Sequence, residues 1–181
     1  MGVSNNPWLA ATLVLPTFLA AFATLLLACD RAQVAPLWSA NAVVAALLME
    51  TPRRRWWAGL LAGAVGLFFA DVLDGAVSAT PLLLSADNLL EILICAGLVR
   101  LVAKDQVNLA RPSHLAAFLV AAGIVAPACS ATIAAPLLHA ARGAPFGQAW
   151  SAWYAGDASG LVLVTPILLP AWRALARRYP A

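Results

Sequence analysis

The sequence predicts an all-α integral membrane protein, a bundle of about six transmembrane helices with both termini in the cytoplasm. Three observations carry that prediction. Hydrophobic residues make up 63% of the 181 and charged residues 10%, against roughly 45–50% and 25% in soluble domains. With the polar breaks read as loops, this length holds about six spans of ~20 residues and almost nothing else. The chain therefore reads as one integral membrane domain over residues 1–181, with no room for a soluble catalytic domain. Basic residues, finally, cluster at span ends. Arg53, Arg54 and Arg55, the Arg100 to Arg111 loop, and Arg173, Arg177 and Arg178 all fall on one side of such a bundle, leaving Arg31 and Arg142 on the other. The positive-inside rule puts the richer side in the cytoplasm, so the net charge of +3 reads as a topology signal and not as a nucleic-acid surface.

The first span, about 8–28, follows a polar, uncharged start and carries Pro16 as a kink. Its end, Leu26-Leu-Ala-Cys29, is like a lipoprotein cleavage box, but the basic n-region such a signal needs is missing, so the helix is expected to stay uncleaved. The second, 36–50, is short for a span, and Trp38 near its entrance shares a face with Asn41. Asn41 fits an interhelical hydrogen bond as well as a ligand contact. Three arginines and two indoles, Trp56 and Trp57, then form a cytoplasmic loop and interfacial belt.

The third span, 57–72, has Gly59, Gly63 and Gly66 on one side, suited to close helix packing, and ends at Asp71 and Asp74. The run 78–86 is too short to cross alone and contains Pro81; it is either a re-entrant piece or the first turns of the next span. In the fourth span Asn88, Glu91 and Cys95 follow one helical stripe. The fifth, 114–138, has small residues four apart at Ala122, Ala126, Ser130 and Ala134, interrupted by Pro127 and Pro136, and reads as a tightly packed, kinked helix.

The last span, 148–171, holds Asp157 inside an otherwise apolar run. A carboxylate at membrane depth costs at least a few kcal/mol unless it is paired, hydrogen-bonded or protonated, so it marks an interior cavity. At helical spacing it shares a stripe with Trp150, Trp153 and Gly160, which leaves Leu161, Val164 and Leu168 for the lipid side. At ~1.5 Å rise per residue, Asn41, Asp71, Asn88 with Glu91, and Asp157 all lie in the outer half of their spans. They are expected to line one outward-opening cavity, with Asp157 and Glu91 facing each other across it. Taken singly, Asp71 and Asp87 read as caps or interhelical ties.

The segments Trp38-Ser-Ala-Asn-Ala-Val-Val, Arg53-Arg-Arg-Trp-Trp-Ala-Gly, Asp87-Asn-Leu-Leu-Glu-Ile-Leu and Trp153-Tyr-Ala-Gly-Asp-Ala-Ser-Gly, the last running on to Pro166, resemble the ordered blocks of the membrane-associated sensor domain of the first type. The Asn-x-x-Glu helix start and the Trp-x-x-Gly-Asp-x-x-Gly block are the most specific, and the likeness covers about residues 30–170. Asn41 stands where that family more usually has Gly. The resemblance implies a multi-pass input module of the bacterial inner membrane, normally placed ahead of kinase or cyclic-dinucleotide output domains. It points to Trp38, Asn88, Glu91, Trp153, Gly156, Asp157 and Gly160.

The function expected is a sensory module that binds a small ligand or reads a membrane condition. The ligand residues would be Trp38, Asn41, Asn88, Glu91, Trp153 and Asp157, with Gly59, Gly63, Gly156 and Gly160 as packing positions. With about ten residues after the last span, the chain is expected to signal through a separate membrane protein, a kinase, cyclase or transporter subunit, or through copies of itself. The alternative is a small-solute transport subunit like those that carry vitamins. An enzyme is not expected, because no Ser/His/Asp spacing is present and His114 and His139 fall at opposite ends of one span. Cys29, Cys95 and Cys129 lie in or beside different apolar runs with no CxxC spacing, so neither a disulfide framework nor a metal site is expected, and no cofactor is identified.

Overall fold

A computed structural model of the chain describes residues 14–27, 37–73, 79–104 and 106–178. Among the described residues there are six helices and no strand: α1 (Val14–Leu27), α2 (Ala40–Glu50), α3 (Trp56–Leu73), α4 (Ala79–Val102), α5 (Pro112–Arg142) and α6 (Phe146–Arg178). Three of these, α4, α5 and α6, are long and apolar enough to cross a membrane, which makes the protein a membrane protein with fewer clear spans than the composition suggests. Of the other three, α2 is the shortest. Its 11 residues reach only ~16 Å, about half the hydrocarbon thickness. The first-span residues 8–13 and 28 lie outside the described residues, as do Cys29, Arg31 and Asp74.

All 11 residues of α2 are buried, and α1, α3, α4 and α6 pack around it. The sequence accounts for this position: Ala40, Ala42, Ala45 and Ala46 keep the helix thin, so neighbours approach from every side. On α3, Gly59 and Gly63 face it; a Cβ at Gly63 would stand 2.9 Å from Val44 Cγ2, and one at Gly59 3.0 Å from Leu48 Cδ2. The helix stops before Pro52, and its last carbonyls are satisfied by side chains. Thr51 Oγ1 donates to Leu47 O at 2.7 Å, and Trp56 Nε1 donates to Leu48 O at 2.9 Å. Side-chain donors are how a buried helix end avoids orphaned acceptors.

The run 79–86 is the first part of α4, continuous with the rest of it, so the re-entrant alternative is not what the chain adopts. Pro81 sits in the first turn of that helix, where an N–H has no intrahelical partner to lose. One face of α4 buries Asp87, Asn88, Glu91, Ile92, Cys95, Ala96 and Val99, and Leu82, Leu83, Leu90 and Leu93 take the exposed face. On α6 the assignment of a lipid side to Leu161 fails. Leu161 is fully buried, while Leu163 and Ile167 are the exposed residues and Val164 and Leu168 are half-buried. The reason is phase: Leu161 follows Asp157 by four residues and so lies on the same face one turn further along.

α5 contains a π-helical turn at Ala121–Val125, which ends two residues before Pro127. Pro127 has no N–H to give the Gly123 carbonyl four residues earlier. Tyr154 of α6 replaces that donor, its hydroxyl donating to Gly123 O at 2.7 Å. Tyr154→Phe is therefore expected to leave a carbonyl without a donor and destabilise the protein by about 1–3 kcal/mol. Thermal unfolding of the purified variant checks this, and an unchanged midpoint would mean that a backbone N–H of the π-helical turn already serves the carbonyl. α5 ends on Gly143, whose φ of 68° allows the left-handed cap and lets its N–H donate to His139 O at 2.8 Å.

Candidate functional site

Four helices bring polar side chains to one buried place. From α4 come Asp87, Asn88 and Glu91, from α5 Ser130, from α6 Trp153 and Asp157, and from the start of α2 Asn41, with Trp38 just ahead of it. Local spacing explains why each points inward. Asp87, Asn88 and Glu91 sit within one turn on the buried face of α4, and Ser130 belongs to the row of small residues with which α5 meets its neighbours.

The hydrogen bonds form two connected arcs. In one, Trp38 Nε1 donates to Asn41 Oδ1 at 3.2 Å, and the Asn41 amide donates both to Asn88 Oδ1 at 2.8 Å and to Glu91 Oε2. In the other, Trp153 Nε1 donates to Ser130 Oγ at 2.8 Å, and Ser130 Oγ lies 2.7 Å from Asp87 Oδ2 and 3.3 Å from Asp157 Oδ2. Glu91 and Asp157 lie beside each other and complete the ring. Exposure is 0% for Asn41 and Glu91, 1% for Ser130, 2% for Asp157, 3% for Asp87 and 4% for Asn88. Water therefore reaches none of the polar members directly, and each depends on the others for its hydrogen bonds.

The backbone next to this ring is held by glycine. Trp38 N donates to Gly156 O at 3.0 Å, and the Trp38 carbonyl rests on Gly160, where a Cβ would overlap that oxygen and stand 2.6 Å from the carbonyl carbon. Asp157 is thus flanked by two positions through which α6 grips the entry to α2.

All six ligand residues expected from the sequence, Trp38, Asn41, Asn88, Glu91, Trp153 and Asp157, belong to this one cluster. Two members were not anticipated. Asp87 read as a cap and Ser130 as a packing residue, yet the two are directly bonded and Ser130 links α4 to α6. The available signal was a lone hydroxyl among alanines on α5. The side chain of Asp71 lies outside the described residues. The two histidines serve local structure: His139 Nδ1 bonds Ala144 O at 2.8 Å, and His114 Nδ1 accepts from Asn108 N at 3.1 Å. Among the described residues no group of His, Cys, Asp and Glu is arranged to hold a metal ion.

A second polar contact lies at the far end of α2. Arg173 of α6 donates to Glu50 through Nε at 2.9 Å and through Nη2 at 2.5 Å, and Nη2 also donates to Val107 O in the α4–α5 loop. The Glu50 side chain is 1% exposed.

The MASE1 family profile matches residues 8–180, nearly the whole chain. No curated protein and no solved structure matches it.

Proposed function

Because the chain belongs to the MASE1 family of membrane-associated sensor domains, we propose that its buried four-helix polar ring is the sensory site and that ligand binding there is passed to a partner protein. The observation that carries this reading is the ring itself. Three carboxyl groups, two amides and a hydroxyl are expensive to bury and add little stability that apolar packing would not, so their gathering on four separate helices is better explained by what they bind. A ligand changes the output only if it binds two arrangements of the helices unequally, and a site spread over α2, α4, α5 and α6 is suited to that difference. Binding, without chemical turnover, is the proposed activity.

The test uses tagged chain purified in mild detergent from native membranes with whatever membrane protein accompanies it. Asp157→Asn and Glu91→Gln are expected to leave the association intact and change the partner's activity at least severalfold. A monodisperse monomer without a partner, together with variants indistinguishable from wild type in cells, would remove the basis for the proposal.

The proposed setting is the bacterial inner membrane, with both termini cytoplasmic and the α5–α6 turn outside, on the strength of the arginine clusters. In a background without the native cysteines, Arg142→Cys is then expected to react with an impermeant thiol reagent added to intact cells. Protection there, with labelling at a cysteine replacing Arg54, would invert the topology.

A further inference from the structure

The carboxyl groups of the ring are short of donors. Two donors are seen on their six oxygens, the Ser130 hydroxyl and one N–H of the Asn41 amide, whose other hydrogen goes to Asn88, while the Trp153 indole donates to Ser130. Ser130 has a single proton to give and two carboxylate neighbours. Asp87 Oδ1 and Glu91 Oε1 are buried and have no hydrogen-bond partner. Both side chains are turned into the ring by the bonds of their other oxygens, to Ser130 and Asn41. Among the described residues, no Lys, Arg or His is a hydrogen-bond or ion-pair partner of the three acids. Of the wall donors, Trp38 Nε1, Trp153 Nε1 and the Asn41 amide are already engaged.

Such a site rejects anions, which would add acceptors and negative charge to a place with an excess of both. A neutral hydroxyl supplies one donor and no charge. A primary ammonium group supplies three N–H donors and one positive charge, which matches the two unpartnered oxygens and the under-supplied Asp157 carboxylate. Resting on the reading of this ring as the sensory site, we infer that the ligand of the Asp87–Glu91–Asp157 site is a small molecule presenting a primary ammonium group. Trp153, half-buried and donating to Ser130, is the aromatic side chain beside this group.

The experiment titrates methylammonium chloride, the smallest primary ammonium, into the full chain in lipid nanodiscs at constant ionic strength, with sodium chloride, sodium formate and methanol as comparators. Binding is read by calorimetry and by the shift in unfolding midpoint. Methylammonium is expected to bind saturably and raise the midpoint, with the three comparators giving neither effect. Glu91→Gln and Asp87→Asn are each expected to weaken binding roughly tenfold or more, the size of a lost hydrogen bond to a charged group, while lipid-facing Leu163→Ala keeps it. Having two acidic variants guards against one of them failing to fold. Equal binding of sodium, saturable binding of formate or methanol, or no saturable methylammonium binding would each overturn the ammonium assignment. If that happens while Asp157→Asn still changes the partner's activity, the ring remains a sensory site with a different ligand; if both fail, the sensory reading falls with it.

Discussion

Arg173→Gln is expected to cost about 1–3 kcal/mol of unfolding free energy, below the full penalty for a buried pair because the Arg173 side chain is itself 29% exposed. The charge left behind is Glu50, whose side chain is 1% exposed at the end of a helix buried on every side. Glutamine can keep one hydrogen bond but not the two-pronged contact through Nε and Nη2, and the Val107 carbonyl loses its donor as well. The double variant Glu50→Gln with Arg173→Gln removes the stranded charge and is expected to recover much of the loss. A cycle of wild type, two singles and the double, read by thermal or denaturant unfolding in one detergent, measures the coupling. Additive losses would mean that water reaches Glu50 as soon as Arg173 is gone.

The second large effect is expected from a single methyl group. At Gly160 an alanine Cβ meets the backbone of Trp38, not a side chain that can rotate away. Either α6 or the Trp38 segment must move, and with it go the Trp38 N to Gly156 O bond and the Trp38 to Asn41 bond at the edge of the acidic ring. Overpacking of this kind costs typically 1–3 kcal/mol and occasionally more. Gly97 on α4 is the matched control, because a Cβ there meets nothing within 4 Å. Gly97→Ala should therefore be neutral or slightly stabilising, by up to about 1 kcal/mol, since alanine is the better helix former. Circular dichroism melts of the two variants side by side decide the matter, and equal midpoints would refute the close approach at Gly160.

What the sequence made legible was the part governed by composition and by period 3.6. Asn88 and Glu91 announce a buried polar face because they recur at helical spacing in an apolar run, and Asp157 does so because a carboxylate at that depth needs a partner. Long-range phase was harder. Asp157 was rightly turned inward, but Leu161 was assigned to lipid although four residues bring a helix back almost to the same direction. The 36–50 run reads as short for a span yet still counts as one from sequence, since a hydrophobic run of that size reads equally as a shortened span or a buried core helix. Pairings across the chain were not legible at all. Arg173 looked like a topology marker and Glu50 like the end of an apolar run, and nothing local joins residues 123 apart. Ser130 was hidden for a related reason: as a small residue it suits close packing, and only the neighbours brought by folding give its hydroxyl a role.

Two prolines, Pro166 and Pro170, lie inside α6 between Gly160 and Arg173. Each removes a backbone bond, and a helix weakened twice within one turn would ordinarily bend there. α2 runs alongside this stretch in the same direction, fastened to α6 above it through Trp38 and below it through Glu50. The short buried helix is therefore a splint across a fracture. While both fastenings hold, Asp157 and the last turns of α6 move together as one stiff rod. Undoing either fastening frees the prolines to flex, and a displacement at the acidic ring would then be absorbed at the break before it reached Arg173.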